Sequence, residues 1–123
     1  MRWPFALVSI LFTAWCGRFV YQSSLVIDGQ RFFCLWDDAM ISMTYARNFV
    51  EGHGLNWARW GEPVEGFTCP LWTIIMIPIN APWIPLPLRP LLVQILSLIC
   101  LLGLLISVRH LLVNQFGAHR VSG

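Results

Sequence analysis

Lysine is absent from the 123-residue chain, and charge of either sign is sparse. Eight arginines and six acidic residues make up 11% of the sequence, against 57% apolar residues. That balance excludes a disordered tail, an acidic or basic nucleic-acid arm and most soluble globular domains, in which about a quarter of residues are charged. A formal net charge of +2, scattered along the chain, gives no basic stripe of the kind that binds DNA or RNA. No two cysteines have zinc-ligand spacing and the three histidines lie far apart, so a metal site is not indicated. Internal repeats and low-complexity tracts are missing too. What is plentiful is tryptophan (seven), phenylalanine (eight) and proline (eight), a composition that suits lipid better than water.

The few charges mark borders. Uncharged residues fill 3–17, 66–88 and 90–108, and apolar character extends the first run to Ile27. About 20 mainly apolar residues cross the hydrocarbon core as a helix. The sequence therefore predicts an all-α integral membrane chain with about three transmembrane helices, over residues 4–27, 66–82 and 90–109. Arg18 is tolerable near the outer end of the first helix, where it can snorkel to the interface. A cleaved signal peptide is the competing reading of that run. No small-x-small site follows, and Trp15 before Cys16 spoils a lipoprotein-type cleavage box. The third run is the most leucine-rich, and Pro90 suits a helix start. The second contains Pro70, Pro78, Pro82, Pro85 and Pro87, which restrict its helix to about residues 71–80 and make 81–90 an irregular turn. A re-entrant segment stays open there.

Between the first two runs lies a polar loop, 28–65, with all six acidic residues and three arginines, a net charge of −3. Positively charged loops stay cytoplasmic, which places this loop outside and Arg2 and Arg89 inside. Three crossings then leave Arg109 and Arg120 outside, against the bias. Within the loop, residues 38–51 read as a short amphipathic juxtamembrane helix: Ala39, Met43, Ala46 and Val50 recur at helical spacing, as do Ile41, Tyr45 and Phe49. Gly52 supplies a left-handed stop. Asp37 and Asp38 open this helix. One reading makes them an N-cap and a dipole partner. The other keeps one carboxylate free to take a proton from a hydroxyl while its neighbour binds substrate or a cation.

The segments Asp37-Asp38-Ala39-Met40-Ile41-Ser42, Tyr45-Ala46-Arg47-Asn48 and Glu51-Gly52-His53-Gly54-Leu55 follow one another in this loop. After them come Asn56-Trp57, Gly61-Glu62-Pro63, Val64-Glu65-Gly66-Phe67-Thr68 and Pro70-Leu71-Trp72. Together they resemble the first external loop of multi-spanning glycosyltransferases of the GT-C superfamily. The resemblance is nearest to the polyprenyl-phosphate-sugar-dependent bacterial branch, with its terminal arabinofuranosyltransferases and protein O-mannosyltransferase-like members. It implies an inverting transfer from a lipid-phosphate-linked sugar donor to an envelope glycan, lipid or protein acceptor. Asp37 would be the general base and Asp38 the second acidic residue, which leaves a divalent cation open as a cofactor. Arg47, His53 and Glu65 fall in matching loop positions as substrate-binding candidates. It also implies a bacterial inner (plasma) membrane location and further helices beyond these residues, on the same or another chain. Cys69 and the stretch 58–60 depart from the family pattern.

Each candidate has an alternative. Arg47 can pair with Glu51 four residues on, His53 can be an exposed loop residue, and Glu65 can cap the next helix. Trp57, Trp60 and Trp72 read as interfacial anchors rather than sugar platforms. Cys16 and Cys100 are small hydrophobes in apolar runs, whereas pairing of Cys34 with Cys69 stays open. A different class of function also fits a chain of this size: a non-catalytic helical membrane protein that binds or regulates a partner. Gly103 and Ser107 would then form a small-xxx-small packing face.

Overall fold

The computed structural model describes residues 3–60, 64 and 66–118. It is mostly helical, with one small hairpin: α1 (Trp3–Gln22), β1 (Leu25–Ile27), β2 (Gln30–Phe32), α2 (Asp37–Val50), α3 (Pro70–Ile79) and α4 (Arg89–Ala118), the last preceded by a single 3-10 turn at Leu86–Leu88. Two compact units divide it. One joins the residues up to Arg18 with those from Ile95 on; the other is Phe19–Gln94.

In the first unit, α1 and α4 face each other antiparallel. Phe5, Ala6, Ser9, Ile10 and Thr13 on α1 and Leu102, Ile106 and Arg109 on α4 line an apolar groove. The Arg109 guanidinium lies 4.5 Å from the centre of the Phe5 ring, so the start of α1 and Arg109 share one end of the pair. Two hydroxyls here are satisfied within their own helix: Thr13 Oγ1 donates to the Ser9 carbonyl (2.8 Å) and Ser107 Oγ to that of Gly103 (2.8 Å). Large apolar side chains such as Leu7, Ile10, Trp15, Leu104, Ile106 and Leu111 stand exposed. Among the described residues, α1 and the helix leading through α4 are the two long and apolar enough to cross a membrane. Only 0% and 6% of their apolar windows are buried, unlike the core helix of a water-soluble domain.

The second unit is built around α2 and α3. Met43 and Ala46 of α2, Met76 of α3 and Val93 of α4 form its core, flanked by Leu35, Ala39, Trp72, Ile77 and Ile79. The first apolar run stops being helical at Gln22 instead of continuing to Ile27. Ser23 N–H donates to the Phe19 carbonyl and Ser24 Oγ to that of Tyr21 (2.9 and 2.6 Å), satisfying carbonyls that a helix end leaves open. Asp28-Gly29, with φ of 50° and 76°, then makes the tight turn of an antiparallel hairpin pairing Leu25 with Phe32 and Ile27 with Gln30. Arg31 ties this hairpin back to α1. Its guanidinium lies 4.2 Å from the centre of the Tyr21 ring and donates to Ser24 Oγ (2.6 Å) and Tyr21 Oη (3.1 Å).

The expected crossing over 66–82 is a helix of only ten residues, α3. At 1.5 Å per residue it spans about 15 Å, half the hydrocarbon thickness. Proline is the reason. Pro70 starts the helix, Pro78 lies in its last turn and Asn80 closes it, with Nδ2 donating to the Met76 carbonyl (3.0 Å). The turn that follows wraps around Arg89, whose Nε donates to the Ile84 carbonyl (3.0 Å) and whose Nη2 donates to that of Ala81 (3.3 Å). From there α4 runs for 30 residues, about 45 Å, past the expected end near Arg109. Gln94 Nε2 donates to the Cys34 carbonyl (2.8 Å) and fastens the segment that leads into α2. All four cysteines are free thiols.

Candidate active site

Asp37 and Asp38 are the first two residues of α2, and both are exposed. The N-cap position belongs to Trp36, in extended conformation and with no side-chain cap bond, so neither carboxylate is used as a hydrogen-bonded cap. Among the described residues neither takes part in an ion pair; that between Arg59 and Glu51 (2.9 Å) is elsewhere. Asp37 has a φ of 31°, on the left-handed side that costs most side chains about 1–2 kcal/mol but is least uncommon for Asp and Asn. The pair thus combines backbone strain at Asp37, solvent access and, among the described residues, freedom from ion-pair partners at the start of a helix.

Arg47 lies ten residues further on, about 15 Å along α2, yet on a related face. At 100° per residue, positions 37, 40, 44 and 47 fall within one stripe, whereas Asp38 is rotated away from it. Arg47 does not pair with Glu51, which is taken by Arg59. Its Nε is buried with no hydrogen-bond partner. With Met40, Met43 and Thr44 it lines a cavity of about 140 Å³ whose other wall is Asn80, Leu86, Arg89 and Pro90.

His53 is set apart. It sits between Gly52 and Gly54, with φ of 85° and 74°. Its ring centre lies 5.7 Å from that of Trp60, its N–H donates to the Asn48 carbonyl (2.9 Å), and its own carbonyl accepts from Asn56 Nδ2 (3.0 Å). These contacts make it a loop-shaping residue, away from the aspartates. Glu65 lies outside the described residues. Trp57 and Trp60 are exposed and Trp72 is half-buried against the core.

No known protein family, curated protein or solved structure matches the chain. The site is therefore judged on its geometry. Among the described residues no group of three or more His, Cys, Asp or Glu side chains is placed to hold a metal ion; a cation at the aspartate pair would draw its remaining ligands from substrate or water.

Three residues without an assigned role in the sequence hold this region together. Asn48, 1% exposed, donates from Nδ2 to the carbonyls of Asn56 (2.8 Å) and Trp57 (2.9 Å), pinning the loop after α2 to its last turn. Tyr45 donates from Oη to the Val64 carbonyl (2.6 Å) and packs its ring against Phe67 at 4.9 Å. Arg89 is the third: it stands alone between two uncharged runs, and a lone charge in such a setting is itself a pointer to a role. A Cβ at Gly66 would meet Tyr45 Oη at 2.8 Å. Gly66→Ala is accordingly expected to displace the tyrosine and cost about 1–3 kcal/mol, read as a lower unfolding temperature in detergent. Gly17→Ala, whose Cβ would meet nothing within 4 Å, serves as the neutral control; equal loss in both would contradict the close packing at Gly66.

Proposed function

We propose that this chain is the front of a membrane-embedded inverting glycosyltransferase of the GT-C type, acting on a polyprenyl-phosphate sugar, with Asp37 as the general base. The observation that carries the reading is the exposed acidic pair at the start of α2, free of internal partners among the described residues and set in a loop whose sequence resembles that of the superfamily. Asp37, and not Asp38, begins the stripe that leads to the arginine-lined cavity, so the two roles separate by position. Asp37 takes the acceptor proton; Asp38 orients substrate or a cation; Arg47 neutralises charge on the donor phosphate. His53 shapes the loop, and Glu65 keeps the role the resemblance implies.

In this reading α1 and α4 are the two crossings, and everything between them, α3 included, is the external loop. A ten-residue α3 is too short to span, and its exposed Leu71 and Ile74, with Trp83 just beyond, suit the lipid interface. An even count brings Arg109 to the inner side and leaves Arg89, at the start of α4, on the outer side with the loop. Arg109 shares an end with the start of α1, so that end falls on the cytoplasmic side, opposite the acidic loop. Further helices, from the same or another chain, would cover the exposed faces of α1 and α4 and complete the donor groove. A bacterial plasma membrane fits this arrangement. The test is transfer of labelled sugar from a polyprenyl-phosphate donor by membranes carrying the complete assembly. Transfer that depends on this chain supports the reading, and undiminished transfer without it removes the reading.

A further inference from the structure

We propose that the cavity between α2, the turn after α3 and the start of α4 is a phosphate-binding site, with Arg47 and Arg89 as its two cationic ligands. Both guanidinium-bearing residues line it, and its walls are otherwise largely apolar, with Met40 and Met43 on one side and Leu86 opposite. Arg89 is 8% exposed. Two of its N–H groups hold the Ile84 and Ala81 carbonyls; a guanidinium has five, so donors remain. Arg47 Nε is buried and has no partner. No carboxylate forms an ion pair with either arginine among the described residues.

Two like charges around a small, largely apolar cavity repel each other. A bound anion removes that cost. The volume, about 140 Å³, leaves room for a phosphate group. Guanidinium geometry suits the oxygens of phosphate. The phosphate itself can belong to a lipid or be free in solution. Association of this cavity with the donor of the glycosyl reaction rests on the function proposed above; occupation by a phosphate group does not.

The experiment uses the full chain in nanodiscs of neutral lipid, titrated separately with inorganic phosphate and with farnesyl phosphate while tryptophan fluorescence and unfolding temperature are followed. Arg89 also braces the turn, so Arg89→Gln can lose structure. Arg47→Gln breaks no hydrogen bond among those formed in the fold, and Thr44→Glu puts a carboxylate inside the cavity, where it pairs with the arginines and competes with the ligand. Saturable binding that weakens at least tenfold in both variants, with unchanged helicity, is the expected result. Tighter binding of farnesyl phosphate assigns the site to a lipid phosphate, and equal binding assigns it to a soluble one. Absence of saturable binding to the wild-type chain, or binding untouched by Arg47→Gln, overturns the proposal. Binding that persists when sugar transfer is not found sinks the glycosyltransferase reading and leaves the site standing.

Discussion

Asp37→Asn abolishes sugar transfer by membranes carrying the complete assembly, lowering the rate by about 10²–10⁴-fold, the range of a lost general base, while donor binding is retained. Asparagine is the informative replacement because Asp37 has a φ of 31°, and Asn tolerates the left-handed region at least as well as Asp. The backbone entry into α2 therefore survives, and the change is confined to the proton-accepting oxygen. Asp37→Ala would confound lost chemistry with altered backbone strain. Asp38→Asn is expected to raise KM for donor or acceptor more than it lowers kcat, since position 38 faces away from the stripe through Met40, Thr44 and Arg47. Rates measured at saturating donor separate the two effects. Full activity in Asp37→Asn would remove the assignment of the base.

Met76→Ala destabilises the second unit by about 2–5 kcal/mol. Met76 is completely buried, and with Met43, Ala46 and Val93 it forms the core that joins α2 to α3 and to the start of α4. A core this small has few other contacts to absorb the lost volume, and the expected loss is a large share of the stability of any small domain. Hydrogen exchange of α2 and α3 amides reads it directly: both helices exchange faster together, whereas the α1 amides in 3–18 keep their rates. Leu71→Ala on the opposite face of α3, 71% exposed, leaves those amides unchanged. Unaltered exchange in Met76→Ala would mean that the two helices are held by something other than this cluster.

Local signals made part of this architecture legible. The recurrence of apolar residues after Asp38 and the stop at Gly52 mark a helix over 38–51, and α2 runs Asp37–Val50. The leucine-rich run after Pro90 lies within α4. The Asp28-Gly29 turn was equally local, a strong hairpin signal between Leu25–Ile27 and Gln30–Phe32, but an uninterrupted apolar reading to Ile27 hides it. The 66–88 run illustrates the limit of counting uncharged residues. Its length permits a crossing, while Pro70, Pro78 and the closing Asn80 allow only about 15 Å of helix.

The site divides in the same way. The aspartates stand out by residue type and context. Arg89 stands out only as a lone charge between uncharged runs; that it lines one cavity with Arg47, forty-two positions earlier, is a non-local pairing that no periodicity encodes. The partner of Glu51 is likewise decided by the loop: helical spacing favours Arg47, and the fold of 52–59 brings Arg59 instead.

The two-crossing layout, with the acidic platform outside and both helix ends inside, is tested most directly by thiol labelling in intact cells with a membrane-impermeant reagent. Native Cys69, exposed at the start of α3, reports one side. Asn114→Cys, near the end of α4 in a variant whose four native cysteines are replaced by serine or alanine, reports the other. The expected result is labelling of Cys69 from outside and of Asn114→Cys only after permeabilisation. Labelling of Asn114→Cys from outside together with Cys69 would contradict two crossings, and with them the placement of α3 in the external loop that carries Asp37.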